Sequence, residues 1–324
     1  MSLLEIRNLS IAFPSPRGWM PAVEGLDLTL AEGEVLGLVG ESGSGKSLSV
    51  LAAMGLAPRT ARVSADALRF AGQDLLTLPQ AARRRLSGKE MAMVFQEPTA
   101  SLNPCFTVGF QIAEAIQAHE GGSSGERRRR VLDLMRQVGL DEPGRRFDCY
   151  PHQLSGGMNQ RVMIAMAIAC RPKLLIADEP TSSLDTTIQA QILALLAELQ
   201  RRHGMALLLI SHDIELVASI AGRIQVLYAG QSMEEGPAAA LVAAPRHPYT
   251  QALLAALPER AVGSRLNAIP GAVPSPGERP TACLFQPRCR FAVAACRSVR
   301  PGYDGAVRCL TPLDASGRPR ARMP

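Results

Sequence analysis

EVLGLVGESGSGKSLSVLAAMGL, residues 34–56, decides the fold. Its opening, Glu34 to Val39, is a nearly continuous apolar run, as a strand buried on both faces of a parallel sheet requires. Its close, from Leu48 onward, is apolar and compatible with a helix. Between them GESGSGKS, residues 40–47, fits the pattern GxxxxGK[ST] in the strand–loop–helix context which that pattern needs. Gly40, Gly43 and Gly45 let the backbone curl so that successive amides, those of Ser42, Ser44 and Leu48 among them, face inward. The following helix adds its positive N-terminal end. Lys46 then reaches the β and γ phosphates, and the Ser47 hydroxyl ligates Mg2+. A chance match in a chain of this length is on the order of one in a hundred at average glycine usage.

Outward from this loop, residues 174–177 and 206–210 are further continuous apolar runs, whereas residues 2–9 and 25–30 alternate as half-buried strands do. Between Phe95 and Leu154 the pattern turns helical. After the capping stretch GGSSGE, Val131, Leu132, Met135 and Val138 return on one side of a 3.6-residue period. Beyond about residue 250 the composition shifts to Pro, Gly, Arg and Cys. The expected fold is α/β: a parallel P-loop core with an antiparallel β subdomain, a helical subdomain at about 97–156, and a small Cys-rich C-terminal extension. The nucleotide-binding domain spans 1–250 and the extension 251–324.

The run LLIADEP brings Asp178 and Glu179 to a strand end, the edge where α/β sheets bind ligands. Two acids there divide the work, Asp178 holding the Mg2+ shell and Glu179 polarising the attacking water. The run MALLLIS delivers His212, whose imidazole could hydrogen-bond a γ phosphate.

At 324 residues and 47% hydrophobic content, the chain can bury a substantial core. No apolar run is long enough to span a bilayer, and MSLLEIRNLS lacks the features of a signal peptide, so the expected location is cytosolic or on the inner face of a membrane. The formal charge of +6 is carried almost wholly by arginine, the only lysines being Lys46, Lys89 and Lys173. The arginine runs 83–85 and 127–130 read as solvated helix faces. With aromatic residues at only 4%, nucleic acid is not an expected partner. Four of the seven cysteines, Cys283, Cys289, Cys296 and Cys309, crowd into the extension as C-x5-C-x6-C-x12-C. In a cytosolic chain this points to metal rather than disulfides, and thiolate-only ligation suits either zinc or an iron–sulfur cluster. Arg288, Arg290, Arg297 and Arg308 are interleaved among these cysteines and offset thiolate charge.

LSGGMNQR, residues 154–161, adds a second nest of serine and two glycines opening a helix. With it, the whole chain resembles the ABC transporter ATPases, whose signature LSGGxxQ is matched by Leu154, Ser155, Gly156, Gly157 and Gln160. Asn159 stands where the family commonly has arginine. The resemblance implies that this nest faces the γ phosphate on an opposite cassette, so that ATP is hydrolysed between two subunits. It further implies that Gln96 is the Q-loop glutamine contacting Mg2+, that SSLD, residues 182–185, supplies Asp185 of the D-loop, and that His212 is the switch histidine. Phe13, with Trp19 as rival, would stack on adenine. FQEPTASLNP at 95–104, RHPYT at 246–250 and IPGAVPS at 269–275 resemble the dipeptide, oligopeptide and nickel importer branch. That branch implies peptide or related small-solute import and a [4Fe-4S] cluster on the four C-terminal cysteines, with zinc as alternative. Its implied partners are a second cassette, with a heterodimer favoured, two transmembrane permease subunits and an extracytoplasmic solute-binding protein. The alternative is a soluble ABC ATPase acting on nucleic acid or ribosomes.

Overall fold

A computed structural model describes residues 2–16, 18–182, 184–257, 260 and 267–320. The chain divides into two compact units. One, the loop unit, comprises residues 2–30, 35–76 and 209 onward; the other, the signature unit, comprises residues 31–34 and 77–208.

The loop unit opens with two long strands, β1 (Ser2–Ser15) and β2 (Gly18–Ala31). After β3 (Val35–Val39) and α1 (Lys46–Met54) come β4 (Arg62–Ser64), β5 (Ala67–Phe70) and β6 (Gln73–Asp74). Strands β2, β1, β5 and β6 form an antiparallel sheet in that order, with β4 paired to β1. On β1, Leu4 and Ile6 are buried while Arg7 and Asn8 are exposed, and burial resumes at Leu9 and Ile11. The break in alternation sits at Asn8, whose φ of 51° puts it in the left-handed region that asparagine tolerates better than most residues.

The signature unit carries α2 (Gln80–Leu86), β7 (Met91–Val94), α3 (Pro98–Ser101), α4 (Val108–His119), α5 (Ser124–Gln137), α6 (Pro143–Arg146), α7 (Gly156–Ile168), β8 (Leu174–Asp178) and α8 (Thr186–His203). A capping box starts α5: the Ser123 hydroxyl accepts from the Glu126 amide, and the Glu126 carboxylate accepts from the Ser123 amide. Val131, Leu134, Met135 and Val138 then form its buried stripe. Leu132 is only half-buried, because one residue past Val131 is a turn of about 100° away from the core-facing line.

Strand β9 (Ala206–Ser211) begins in the signature unit and ends in the loop unit. The loop unit continues with α9 (Ile214–Ala218), β10 (Arg223–Tyr228), β11 (Gln231–Pro237), α10 (Ala238–Ala243) and α11 (Pro248–Ala255), followed by short 3-10 turns. β10 runs parallel to β3, pairing Leu36 with Arg223 through Val39 with Val226, and turns back antiparallel into β11. The extension is tied to β11 by backbone bonds from Glu235 to Ala306 and from Arg308 to Met233. Among the described residues no helix is long and apolar enough to cross a membrane.

Candidate nucleotide site

In the loop unit, the turn expected at Gly40 starts one residue after β3 ends. A Cβ at Gly40 would lie 2.1 Å from the Leu227 carbonyl oxygen, so only glycine fits this close approach. At the far end Gly45, with φ 97°, hands the chain to α1 without a side-chain cap, at the kind of helix start that suits an anion. Lys46, 5% exposed, is held across the loop it serves. Its ammonium donates to the Gly40 carbonyl at 2.7 Å, the Glu41 carbonyl at 3.0 Å and the Ser44 hydroxyl at 3.4 Å. Ser42 and Gly43 lie within this turn, and Ser47 and Leu48 sit in the first turn of α1. His212 follows β9 directly and is exposed. Its neighbour Asp213 caps α9 by accepting from the Glu215 and Leu216 amides, each at 3.0 Å.

In the signature unit, register places the acids. β7 and β8 are parallel, pairing Met91 with Leu174 through Val94 with Ala177, so Gln96 and the Asp178–Glu179 pair leave the sheet at one edge. The Gln96 side-chain amide donates to the Glu179 carboxylate at 3.3 Å. Asp178 is buried, whereas Glu179 is half-buried with φ at 46°. A non-glycine residue in the left-handed region costs on the order of 1 kcal/mol or more, and such strain clusters where a side chain must be aimed for chemistry.

The signature nest is capped by its own serine. The Ser155 hydroxyl accepts from the Met158 amide at 3.3 Å, and Ser155 and Gly156 are exposed at the start of α7. A Cβ at Gly157 would meet Ile188 at 3.0 Å. Gln160 does not share this exposed face: it is 1% exposed, one turn into the helix. Asn159, the departure from the usual arginine, is also buried, and its amide donates to the Pro151 carbonyl at 2.9 Å. It ties α7 to the turn just before the signature, a role its sequence position alone does not reveal. Asp185 caps α8 by accepting from the Ile188 amide at 3.0 Å. Within the SSLD stretch, Ser183 lies outside the described residues. Of the two aromatic candidates for adenine, Phe13 is half-buried on β1, while Trp19 on β2 is 53% exposed with the Arg62 guanidinium 6.0 Å from its ring.

Two family profiles match the chain: "ABC transporter" over residues 23–182 and "Oligopeptide/dipeptide transporter, C-terminal region" over residues 233–296. The chain is 55% identical to the dipeptide transport ATP-binding protein DppD of Haemophilus influenzae, covering 98% of each chain. It belongs to the ABC transporter family. This ABC cassette is also 56% identical to Escherichia coli DppD, over 98% of its own length and 99% of the relative's. A solved dimeric post-hydrolysis state of the ATP-binding cassette MJ0796, bound to ADP and Pi, superposes with a TM-score of 0.64 at 27% identity. That match covers 72% of this chain and 98% of the other. The activity of the cassette is ATP hydrolysis, which sets its nucleotide motifs to work on the β–γ phosphate bond.

The C-terminal profile takes in Cys283, Cys289 and Cys296 and stops short of Cys309. All four thiols are free. Cys283 and Cys296 are joined by a backbone hydrogen bond of 3.3 Å. Burial pushes the Cys289 thiol up to about 11, and the nearby thiols of Cys309, Cys283 and Cys296 add to the rise. The four therefore gather in one neighbourhood. Among the described residues, however, no three His, Cys, Asp or Glu side chains are set as a metal-ligand group, so the expectation of an iron–sulfur cluster or zinc finds its donors but not a ligand geometry.

Proposed function

We propose that this cassette powers import of di- or oligopeptides, as one of two ATP-binding chains beneath a pair of permease subunits fed by an extracytoplasmic solute-binding protein. The observation that carries the reading is one chain joining an ABC transporter match to an oligopeptide/dipeptide C-terminal match, at 55% and 56% identity to two proteins named for dipeptide transport.

In this reading the amides of Ser42 through Leu48 cradle the phosphates and Lys46 neutralises the β and γ oxygens. Mg2+ supplies charge neutralisation when bound; Ser47, Gln96 and Asp178 are the residues that would hold it. Glu179 takes the proton of the attacking water, and its contact with Gln96 ties that base to a residue at the same sheet edge. His212 contacts the γ phosphate and senses its loss. Ser155, Gly156 and Gly157 present their helix start to ATP held by the partner cassette, with Asp185 beside that junction, and Gln160 supports the nest from inside α7. Phe13 or the more exposed Trp19 stacks on adenine.

An exposed aromatic patch in the signature unit supports permease docking. The rings of Phe106 and Phe110 stack at 4.9 Å, and the adjoining segment, bonded from the Val108 amide to the Cys149 carbonyl, carries Tyr150 stacked on His152. The cassette then sits on the inner face of a bacterial membrane, held by its permeases. The [4Fe-4S] reading of Cys283, Cys289, Cys296 and Cys309 rests on the four gathered thiols; of the arginines between them, Arg288 is committed to Glu41 and Arg290 to Gln251. A cluster there would supply a covalent clip for the extension and takes no part in hydrolysis. Iron and acid-labile sulfide at about four per chain in protein purified without oxygen would support it, whereas zinc or no metal would remove it.

The deciding experiment is reconstitution with the permeases and binding protein in liposomes. ATP-dependent uptake of a labelled dipeptide supports the reading. Uptake of a nickel chelate alone, or an ATPase rate that rises with RNA or DNA and not with the permeases, overturns it.

A further inference from the structure

Glu41, the second residue of the phosphate loop, is held at three points. Its amide donates to the Tyr249 hydroxyl at 2.9 Å. Its carbonyl accepts from Lys46 at 3.0 Å. Its carboxylate takes a two-pronged bond from Arg288, at 2.7 Å to one oxygen and 2.9 Å to the other. Arg288 is in turn fixed: its Nε donates to the Pro270 carbonyl at 2.8 Å, and its guanidinium lies 5.7 Å from the centre of the Tyr228 ring. Tyr228, Tyr249 and Phe285 pack together, with ring centres 4.7 to 5.3 Å apart. Arg288 ends the turn just before Cys289, and Tyr249 belongs to the RHPYT stretch at the start of α11. Both lie outside every nucleotide motif, and both converge on one residue of the phosphate loop.

We propose that Arg288 and Tyr249 are positioning residues for ATP binding: by fixing Glu41 they set the two carbonyls that aim Lys46. A paired carboxylate–guanidinium fork is rigid as well as strong, so it holds the loop in shape before the nucleotide arrives. Without it, part of the binding energy of ATP goes to ordering the loop, and apparent affinity falls while the chemical step is spared. The C-terminal extension thus acts on the nucleotide site through Arg288, and the RHPYT stretch just before the extension acts through Tyr249. The inference rests on the family's ATP hydrolysis and is independent of which solute is imported.

The test measures Mg-ATP turnover by the assembled transporter. Glu41→Gln and Arg288→Gln each raise KM for ATP about tenfold, the size of one charge-assisted hydrogen bond, with kcat within about twofold of wild type. Arg288→Lys, which keeps the charge but loses the fork, falls between. Tyr249→Phe raises KM about threefold, as loss of one neutral hydrogen bond does. The Glu41→Gln/Arg288→Gln pair is no worse than either single change, because both delete one interaction. If Arg288 only holds the extension together, Arg288→Gln lowers thermal stability while Glu41→Gln and Tyr249→Phe keep the wild-type KM, and the inference is overturned. Should Arg288→Gln not fold, those two variants decide alone. Wild-type transporter with no ATP turnover would sink the ATPase assignment and this inference with it; normal wild-type turnover with unshifted KM in the variants sinks only the inference.

Discussion

The phosphate loop and the signature nest both stand at the start of a helix, yet they are built from opposite kinds of contact. The signature nest is held mainly by local hydrogen bonds, although a Cβ at Gly157 would meet Ile188 at 3.0 Å. Ser155 caps its own helix three residues on, and Asn159 reaches back 8 residues to Pro151. The phosphate loop has no side-chain cap at Gly45 and draws on distant chain: the Leu227 carbonyl against Gly40, Tyr249 from 208 residues away and Arg288 from 247. A nest shaped by neighbours in sequence keeps its form whenever its helix forms. A loop shaped by remote partners depends on the whole unit being folded, which also lets remote residues tune it.

This contrast can be broken at four points. Gly40→Ala should do most, because its Cβ would fall 2.1 Å from the Leu227 oxygen; ATP binding is lost in equilibrium titration, with destabilisation on the order of 3 kcal/mol. Glu179→Gln should cut kcat about a thousandfold while ATP affinity holds, which single-turnover and binding assays separate; a fall of less than tenfold would remove Glu179 as the base.

His247 should give the third effect. It caps α11 by accepting from the Tyr249 amide at 3.0 Å, and burial holds its imidazole down at about 3, against an ordinary value of 6.5. Between those values the unfolded chain binds a proton that the folded chain refuses, so this residue's contribution to stability falls as pH drops below 6.5. Neighbouring Glu234, raised by its own burial, works in the opposite sense. The difference between wild type and His247→Asn, which keeps a capping oxygen, isolates the histidine: relative to its value at pH 7.5, wild type loses about 2 kcal/mol more than the variant at pH 5. Denaturant melts at the two pH values read it directly. The smallest effect is Ser155→Ala, about 1 kcal/mol from the lost cap, with ATP affinity of the single chain unchanged; a loss of affinity there would show that the signature nest is not independent of the phosphate loop.

Much of the site was legible because its motifs are short and their chemistry is local. GESGSGKS between an apolar strand and an apolar helix leaves few other readings, and the mixed α/β cassette with its antiparallel sheet follows from two kinds of hydrophobic pattern. The burial stripe of α5 was read with one error: Leu132 stands where Leu134 belongs, since apolar identity does not report angle around a helix. Gln160 matches the signature as well as Ser155 does, but α7 turns it inward. Glu41 carried no signal at all, since the loop pattern accepts any residue there and its partners lie at the other end of the chain.

The sequence by itself determined that the chain is an ATP-hydrolysing ABC cassette, because GESGSGKS in its strand–loop–helix context and LSGGMNQR, which carries the family resemblance, are short, local patterns. Only the tertiary structure decided that Gln96 meets Glu179, through the register of β7 against β8, and that Tyr249 and Arg288 close on Glu41. Those contacts join segments whose separation in sequence carries no record of their distance in space, and packing of the core fixes them.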